Sequence, residues 1–388
     1  MGIIGIGNMG SEHCRSIMAG KVPHLRLTAV ADRREDRRAW AKETLQGDVR
    51  IFDEGDALID AECCDAVLIA TPHYQHPVLA TRAFEKGLHV LSEKPIGVYT
   101  LAVRQEIEAA KKSGKTFALM FNQRTNCVYR RLKQLVDTGE LGKVKRVNWT
   151  ITDWYRTQKY YDSGAWRATW AGEGGGALLN QCPHQLDLLQ WLFGLPEKVR
   201  ATCHVGKWHH IEVEDDVTAY LEFPGGATGV FITSTGDLPG VNRLEVTLEK
   251  GRVVCDGETL VCWRIPVNER EYCFSSAGAF SDITPTRELI PTDGQNPQHV
   301  GVMNAFADHI LFGAPLVAEG EEGVNSLMLS NAMYLSDWLG KDVTLPIDEK
   351  LFLKLLDERR AASHLKAGGD VTYNTDHSFG GRIVPDEQ

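Results

Sequence analysis

Apolar and polar positions alternate in two different periods along the chain. A short apolar run at residues 2–6 precedes a segment compatible with a helix, and "RLTAVADRRED" (26–36) reads as a second strand leading to Asp32. Residues 65–72, "DAVLIATP", read as a buried strand, 76–87 as a helix closed by Gly87, and 89–95 as a strand. Residues 100–114 follow as a helix closed by Gly114, and 115–121 as another strand. Strands and helices in this rhythm predict an α/β fold with a doubly wound parallel sheet, whose ligand lies outside the carboxyl ends of the strands. Past residue 122 the pattern changes. Residues 146–154 and 198–206 alternate like strands, 212–235 reads as a hairpin punctuated by "PGG", and 296–313 and 322–340 are amphipathic helices.

The first strand runs into G-x-G-x-x-G, with Gly5, Gly7, Asn8, Met9 and Gly10 forming the turn. This spacing suits a tight turn at Gly5, close approach of a pyrophosphate at Gly7 and helix–strand packing at Gly10, with the helix N-terminus facing the anion. Asp32 lies about twenty residues on, where a carboxylate binds ribose hydroxyls and repels a 2′-phosphate. Arg33 and Arg34 could instead pair with that phosphate, so the expectation is NAD, with NADP as the alternative. Residues just past the later strand ends are further candidates for the cofactor: Thr71, Pro72, His73 and His76, then Glu93 and Lys94, then Asn122, with Gln123 and Arg124 beside it.

Length and charge narrow the partners. A chain of 388 residues suggests two domains. Its net charge of -10, without a concentrated basic stripe, argues against nucleic acid. No apolar run approaches the roughly 20 residues that span a bilayer, so the expectation is no membrane partner and a cytoplasmic location. Nine cysteines in no zinc-like spacing fit reduced, packed thiols. His204, His209 and His210 with Glu212, Glu214 and Asp215 resemble a metal cluster, but strand periodicity would scatter them, so no metal is expected.

The densest chemistry lies in "GEGGGALLNQCPHQLD" (172–187), where Asn180 and His184 stand four residues apart behind a glycine run. That step would share a helical face, unless Pro183 starts or bends the helix. The glycines are expected to let the backbone pass close to the cofactor and substrate. Ahead of them, Tyr155, Arg156, Tyr160, Trp166 and Arg167 form a loop whose aromatic faces and charged edges suit a sugar ring. His299, at the start of a later helix, is a distant candidate.

Taken together, the glycine fingerprint, "SEKP" around Lys94, and "GGGALLNQCPHQLD" resemble the glucose–fructose oxidoreductase and inositol dehydrogenase family, Gfo/Idh/MocA. The resemblance implies an NAD(P)-binding domain over 1–122, then a substrate-binding and oligomerising α/β domain over 123–388 on a large open, mainly antiparallel sheet. It implies hydride transfer between the nicotinamide and a secondary alcohol of a sugar, glycoside or cyclic polyol. It also implies that the E-K-P lysine, Lys94, touches substrate. Family members carry an aspartate where this chain has Asn180.

Oxidising a carbinol requires a base for its proton, which histidine supplies near neutral pH, while an ammonium can hold the reacting oxygen. The catalytic set is therefore Lys94, His184 and Asn180. Arg124, Tyr155, Arg156, Trp166 and Arg167 join those three as the candidate substrate contacts. An uncharged Asn180 should leave His184 a weaker base and a better acid. The alternatives are redox-assisted glycoside cleavage on the same fold, or a non-catalytic NAD-binding sensor. A homodimer or homotetramer through the second sheet is expected, and the polar tail 367–388 could reach a neighbouring subunit.

Overall fold

The computed structural model describes residues 1–364 and 366, so the expectation about the tail 367–388 lies outside the described residues. The first part alternates strand and helix: β1 Gly2–Ile4, α1 Asn8–Met18, β2 Ala29–Ala31, α2 Glu35–Thr44, β3 Arg50–Phe52, α3 Gly55–Asp60 and β4 Ala66–Ile69. It continues with α4 Gln75–Glu85, β5 His89–Ser92, α5 Thr100–Ser113 and β6 Phe117–Leu119. All the pairings are parallel, in the order β3-β2-β1-β4-β5-β6. This is the doubly wound sheet read from the sequence. The order reverses between β1 and β4, and the crevice beyond their carboxyl ends is where a dinucleotide fits. The sequence reading passed over β3 and α3, because three half-exposed residues and a six-residue helix carry almost no periodic signal.

A 3₁₀ turn at Asn122–Thr125 and α6 Cys127–Thr138 lead into the second sheet. Its elements are β7 Val144–Ile151, α7 Gln158–Tyr161, α8 Pro183–Phe193, β8 Lys198–Val205, β9 Glu214–Glu222, β10 Thr228–Ser234 and β11 Asn242–Leu248. Then come β12 Gly251–Asp256, β13 Thr259–Arg264, α9 Glu269–Ser275, β14 Thr286–Leu289, α10 Gln298–Phe312, α11 Gly323–Leu339, β15 Val343–Thr344 and α12 Glu349–Ala362. Among the described residues nine strands join in the order β14-β13-β12-β11-β7-β10-β9-β8-β15, antiparallel except where β7 pairs with β10.

One face of this sheet is dry. Val147, Trp149 and Ile151 on β7, Phe231 on β10 and Leu244 and Val246 on β11 are buried, whereas Thr218 and Tyr220 on β9 point outward and are exposed. Alternate side chains along a strand face opposite ways, so this division is the strand period made visible. The amphipathic faces of α6, α8 and α11 cover the dry side, packing among themselves and, through α11, on β8. Residues from both sheets fall in one continuous core.

Candidate active site

A cleft of about 1020 Å³ runs from the glycine turn across the carboxyl ends of the first sheet to the loops ahead of α8. At the glycine turn each residue has its own physical reason. Gly5 has φ +87°, and a Cβ there would stand 2.6 Å from Ala70 O. One on Gly10 would stand 1.8 Å from Gly5 O, so the helix can lie this close to the strand only without a side chain. A Cβ on Gly7 would meet nothing within 4 Å, so this position opens onto the cleft. Helix α1 begins here with no side-chain cap and no acidic residue in its first turn. Its leading N–H groups are therefore suited to a phosphate, and the cradle fits a dinucleotide. Asn8 and Met9 line the same wall. Asp32 lies at the end of β2, its carboxylate accepting from Ile6 N at 2.8 Å and Arg34 N at 2.9 Å. Arg33 pairs with Glu54 at 2.7 Å and Arg34 with Asp36 at 2.6 Å, so both arginines are engaged by carboxylates, which favours NAD over NADP.

Thr71, Pro72, His73, His76, Glu93, Lys94 and Asn122 all line the cleft. Several of them are braces. His76 spans Pro95 O at 2.8 Å and Thr71 O at 2.7 Å, tying two strand ends together. His73 reaches Glu173 O at 3.0 Å, and burial, then His76 and Lys94, push its pKa well down. Glu93 contacts His13 on α1 at 2.6 Å. Burial opposes its ionisation, but His13, His299 and Lys94 together hold it down to about 2. Asn122 donates to Gln298, and its buried Oδ1 has no partner. His299, ranked as distant from sequence, lines the cleft 5.6 Å from the His13 ring, and burial lowers its pKa to about 4.

Lys94 and His184 face each other's surroundings from different elements. The Lys94–Pro95 bond is cis, and Lys94 Nζ donates to the main-chain carbonyl of Asn180 at 2.9 Å. Burial lowers the Lys94 pKa, opposed by Glu93 and Glu173. The ring of His184 lies 6.3 Å from Phe121, edge to face, and its buried Nδ1 has no partner. Burial, then Lys94 and His299, push its pKa well below the usual histidine value. Burial and the neighbouring charges, not Asn180, set this shift.

Of the two arrangements open for Asn180 and His184, the structure has the one in which Pro183 starts the helix. Pro183 is the first residue of α8, where a missing N–H costs nothing, and Asn180 precedes the helix in a tight turn, N to Gly176 O at 2.9 Å. The side-chain amide of Asn180 donates to Glu173, a residue the sequence reading passed over inside "GEGGG". Glu173 is buried, accepts from Ala168 N at 2.5 Å and lies 3.6 Å from Arg167; burial raises its pKa. The carboxylate absent from position 180 is thus present one contact away.

The glycine run packs against protein. A Cβ on Gly174 would stand 2.4 Å from Val98, one on Gly175 2.2 Å from Tyr334 Oη, and one on Gly176 2.0 Å from Glu214 O. Of the run only Gly172 lines the cleft, which corrects the expectation that these glycines pass beside the ligands. Buried Glu214 anchors the loop, accepting from Gly176 N at 3.0 Å, Leu178 N at 2.8 Å and Tyr334 Oη at 2.7 Å. Its pKa is raised to about 7 by burial, against those donors.

Of the proposed substrate contacts, Arg156, Trp166 and Arg167 line the cleft with Trp154 and Tyr160. Two do not belong there. Tyr155 is exposed and outside the lining. Arg124 is 3% exposed and forms a fork with Asp187 at 2.8 and 2.6 Å, with a further contact to Glu322. The 3₁₀ turn after β6 aims it at α8 instead of the cleft. In the histidine cluster, His209 pairs with Asp215 at 2.9 Å and Glu212 accepts from Trp170 N, while Glu214 serves the loop. Among the described residues no three His, Cys, Asp or Glu side chains could hold a metal ion. Cys182 is buried against Thr233 at 2.8 Å, and burial pushes its thiol up to about 12, which makes it a packing residue.

The comparisons with known proteins accord with this geometry. Residues 1–121 match the oxidoreductase family with an NAD-binding Rossmann fold, and 129–254 match the GFO/IDH/MocA C-terminal domain. A myo-inositol 2-dehydrogenase of Thermotoga maritima is 26% identical over 341 residues, covering 86% of this chain and 94% of that protein. A D-glucoside 3-dehydrogenase of Escherichia coli K12 is 24% identical over 374 residues, 88% of this chain and 96% of that one. The WlbA dehydrogenase of Bordetella pertussis, solved with NADH and UDP-GlcNAcA, superimposes with TM-score 0.75 at 25% identity, covering 89% and 98% of the two chains. Levoglucosan dehydrogenase, solved with NADH and levoglucosan, shares the fold at TM-score 0.74 and 20% identity, covering 89% and 98%. With its cradle, its sheet order and matches to both parts of one family, the chain belongs to the Gfo/Idh/MocA oxidoreductases and is an NAD-dependent oxidoreductase.

Proposed function

We propose that the protein is a dehydrogenase acting on a secondary alcohol of a sugar, glycoside or cyclic polyol. The carrying observation is that Lys94 and His184 line the same cleft as the glycine cradle. Support also comes from the relatives named for inositol and glucoside oxidation. The glycine cradle and Asp32 would hold the dinucleotide, whose nicotinamide would supply the acceptor for the carbinol hydride. His184, held neutral by burial and by Lys94, accepts the hydroxyl proton as the C=O bond forms. Lys94, fixed by the Asn180 carbonyl, donates to the reacting oxygen and stabilises its developing charge. In the reducing direction the protonated ring is a strong acid and returns that proton. The braces at His76 and Glu93 keep the strand ends fixed, so the groups are in position before substrate arrives.

The same reading takes the outward face of the second sheet, around Tyr220, as a self-association surface. It also assigns the protein to the cytoplasm. All nine cysteines are free thiols, and among the described residues no helix is long and apolar enough to cross a membrane. The function is tested by incubating purified protein with NAD or NADP and a panel of inositols, aldoses and glycosides, following reduced-cofactor absorbance. Reduction of NAD by a member of that panel is expected. Tight NADH binding with no turnover of any of them would overturn the reading.

A further inference from the structure

The substrate end of the cleft carries a cation that no carboxylate among the described residues neutralises. Arg156 is half-buried; its guanidinium lies 5.5 Å from the Trp154 ring centre and 4.9 Å from that of Tyr160. Its Nη1 donates only to Tyr155 O at 3.0 Å, its Nε is buried without a partner, and among the described residues no carboxylate reaches ion-pair distance. Its backbone is pinned from two sides, by Arg156 N to Thr235 O at 2.9 Å and by His209 Nε2 against Arg156 O at 2.9 Å. Arg167 stacks on the same Tyr160 ring at 4.4 Å. Burial is the main cause that lowers the Lys94 pKa, and both guanidinium groups add to it in the same direction.

Among the described residues the acidic groups near the cleft are engaged elsewhere than at Arg156. Glu173 lies beneath the wall, occupied by Arg167, Asn180 and Ala168. Glu93 is held by His13, and Asp32, Glu54 and Asp56 line the cradle end. A guanidinium stacked between rings keeps its in-plane N–H donors for a planar or tetrahedral oxyanion. A neutral sugar would offer that guanidinium hydroxyl acceptors but no countercharge, whereas an oxyanion supplies both.

We propose that the sugar or polyol taken at this site carries an oxyanion, a carboxylate or a phosphate, gripped by Arg156. This rests on the dehydrogenase reading above and narrows it. The test uses NADH-loaded full-length protein and matched pairs: D-glucuronate with D-glucose, D-galacturonate with D-galactose, D-gluconate with D-glucitol, and D-glucose 6-phosphate as the phosphate arm. Binding is followed by tryptophan fluorescence, since Trp154 and Trp166 line the cleft, and by calorimetry. At least one acid should bind about tenfold or more tightly than its neutral partner, with a Kd that rises with salt. Arg156→Gln should bring that ratio towards one, and Arg156→Lys should restore part of it. Preference for the 6-phosphate identifies the oxyanion as phosphate. Parity within every pair, failure of every anionic probe to bind, or an unchanged ratio in Arg156→Gln overturns the proposal. Hydride transfer is read separately, with NAD in place of NADH and the same compounds. Acid-selective binding without NAD reduction by any compound overturns the dehydrogenase reading alone, whereas turnover of neutral sugars with parity overturns only the anion site.

Discussion

Lys94 Nζ donates to the main-chain carbonyl of Asn180 at 2.9 Å, joining the end of a strand in one sheet to the turn that precedes His184. The same Asn180 donates through its side chain to Glu173. One residue thus connects the ammonium to a buried carboxylate.

Removing the proton acceptor should impair chemistry more than binding. His184→Ala is expected to lower kcat by about 10²–10⁴-fold. Lys94→Met should lower kcat and kcat/KM together, because it removes stabilisation of the developing alkoxide. NADH affinity, measured by fluorescence titration, should survive in His184→Ala. Unchanged kcat in either variant would remove that residue from the reaction.

The pH profile of sugar oxidation carries two signs. His184 must be neutral to accept a proton, and its pKa is pushed well below 6.5, so the acidic limb of kcat/KM should fall below the ordinary histidine range. Lys94 must be charged, and its pKa is lowered from 10.5, so activity should fall on the alkaline side earlier than for an ordinary lysine. Because Glu173 supports the Lys94 charge, Glu173→Gln should move the alkaline limb to still lower pH. A merely structural Glu173 would change stability and leave that limb in place.

Arg124 provides a contrast. With Arg124 and Asp187 at 3% and 1% side-chain exposure, Arg124→Gln leaves a buried carboxylate unpaired and should cost about 3–5 kcal/mol. The loss is read as a lowered urea midpoint, with KM for the preferred sugar unaltered. A raised KM in a stably folded variant would return Arg124 to the substrate.

Glu214 should make stability fall with rising pH. Its pKa in the fold is raised by burial to about 7, against 4.5 for an ordinary glutamate. Below about 4.5 both states hold the proton, and between 4.5 and 7 the unfolded chain releases it first, so the fold loses roughly 3 kcal/mol across that window. Denaturant titrations of the protein and of Glu214→Gln at pH 5 and 7.5 isolate the contribution. The protein should weaken more than the variant as pH rises.

Much of this site was legible in the sequence, and the failures have identifiable causes. Spacing placed Lys94, Asn122 and His73 past strand ends because a parallel sheet delivers every strand end to one side. The same spacing could not tell which way a short 3₁₀ turn throws a side chain, so Arg124 was mistaken for a ligand. Glu173 was hidden by its setting among glycines, and His13, which braces Glu93 from α1, looked like any helix residue. Glu214 was read as part of a scattered metal set; its partners are backbone N–H groups thirty-odd residues away, which no pattern of side chains announces.

The anchoring of the glycine run also fixes the wall from which His184 is presented. The N–H groups of Gly176 and Leu178 are bonded to the Glu214 carboxylate and that of Ala177 to the Glu214 carbonyl, with Tyr334 filling the space above Gly175. Their amide hydrogens can meet solvent only when β9 and α11 part, a rare and costly event. A substrate therefore enters and leaves with this wall behind His184 held in place.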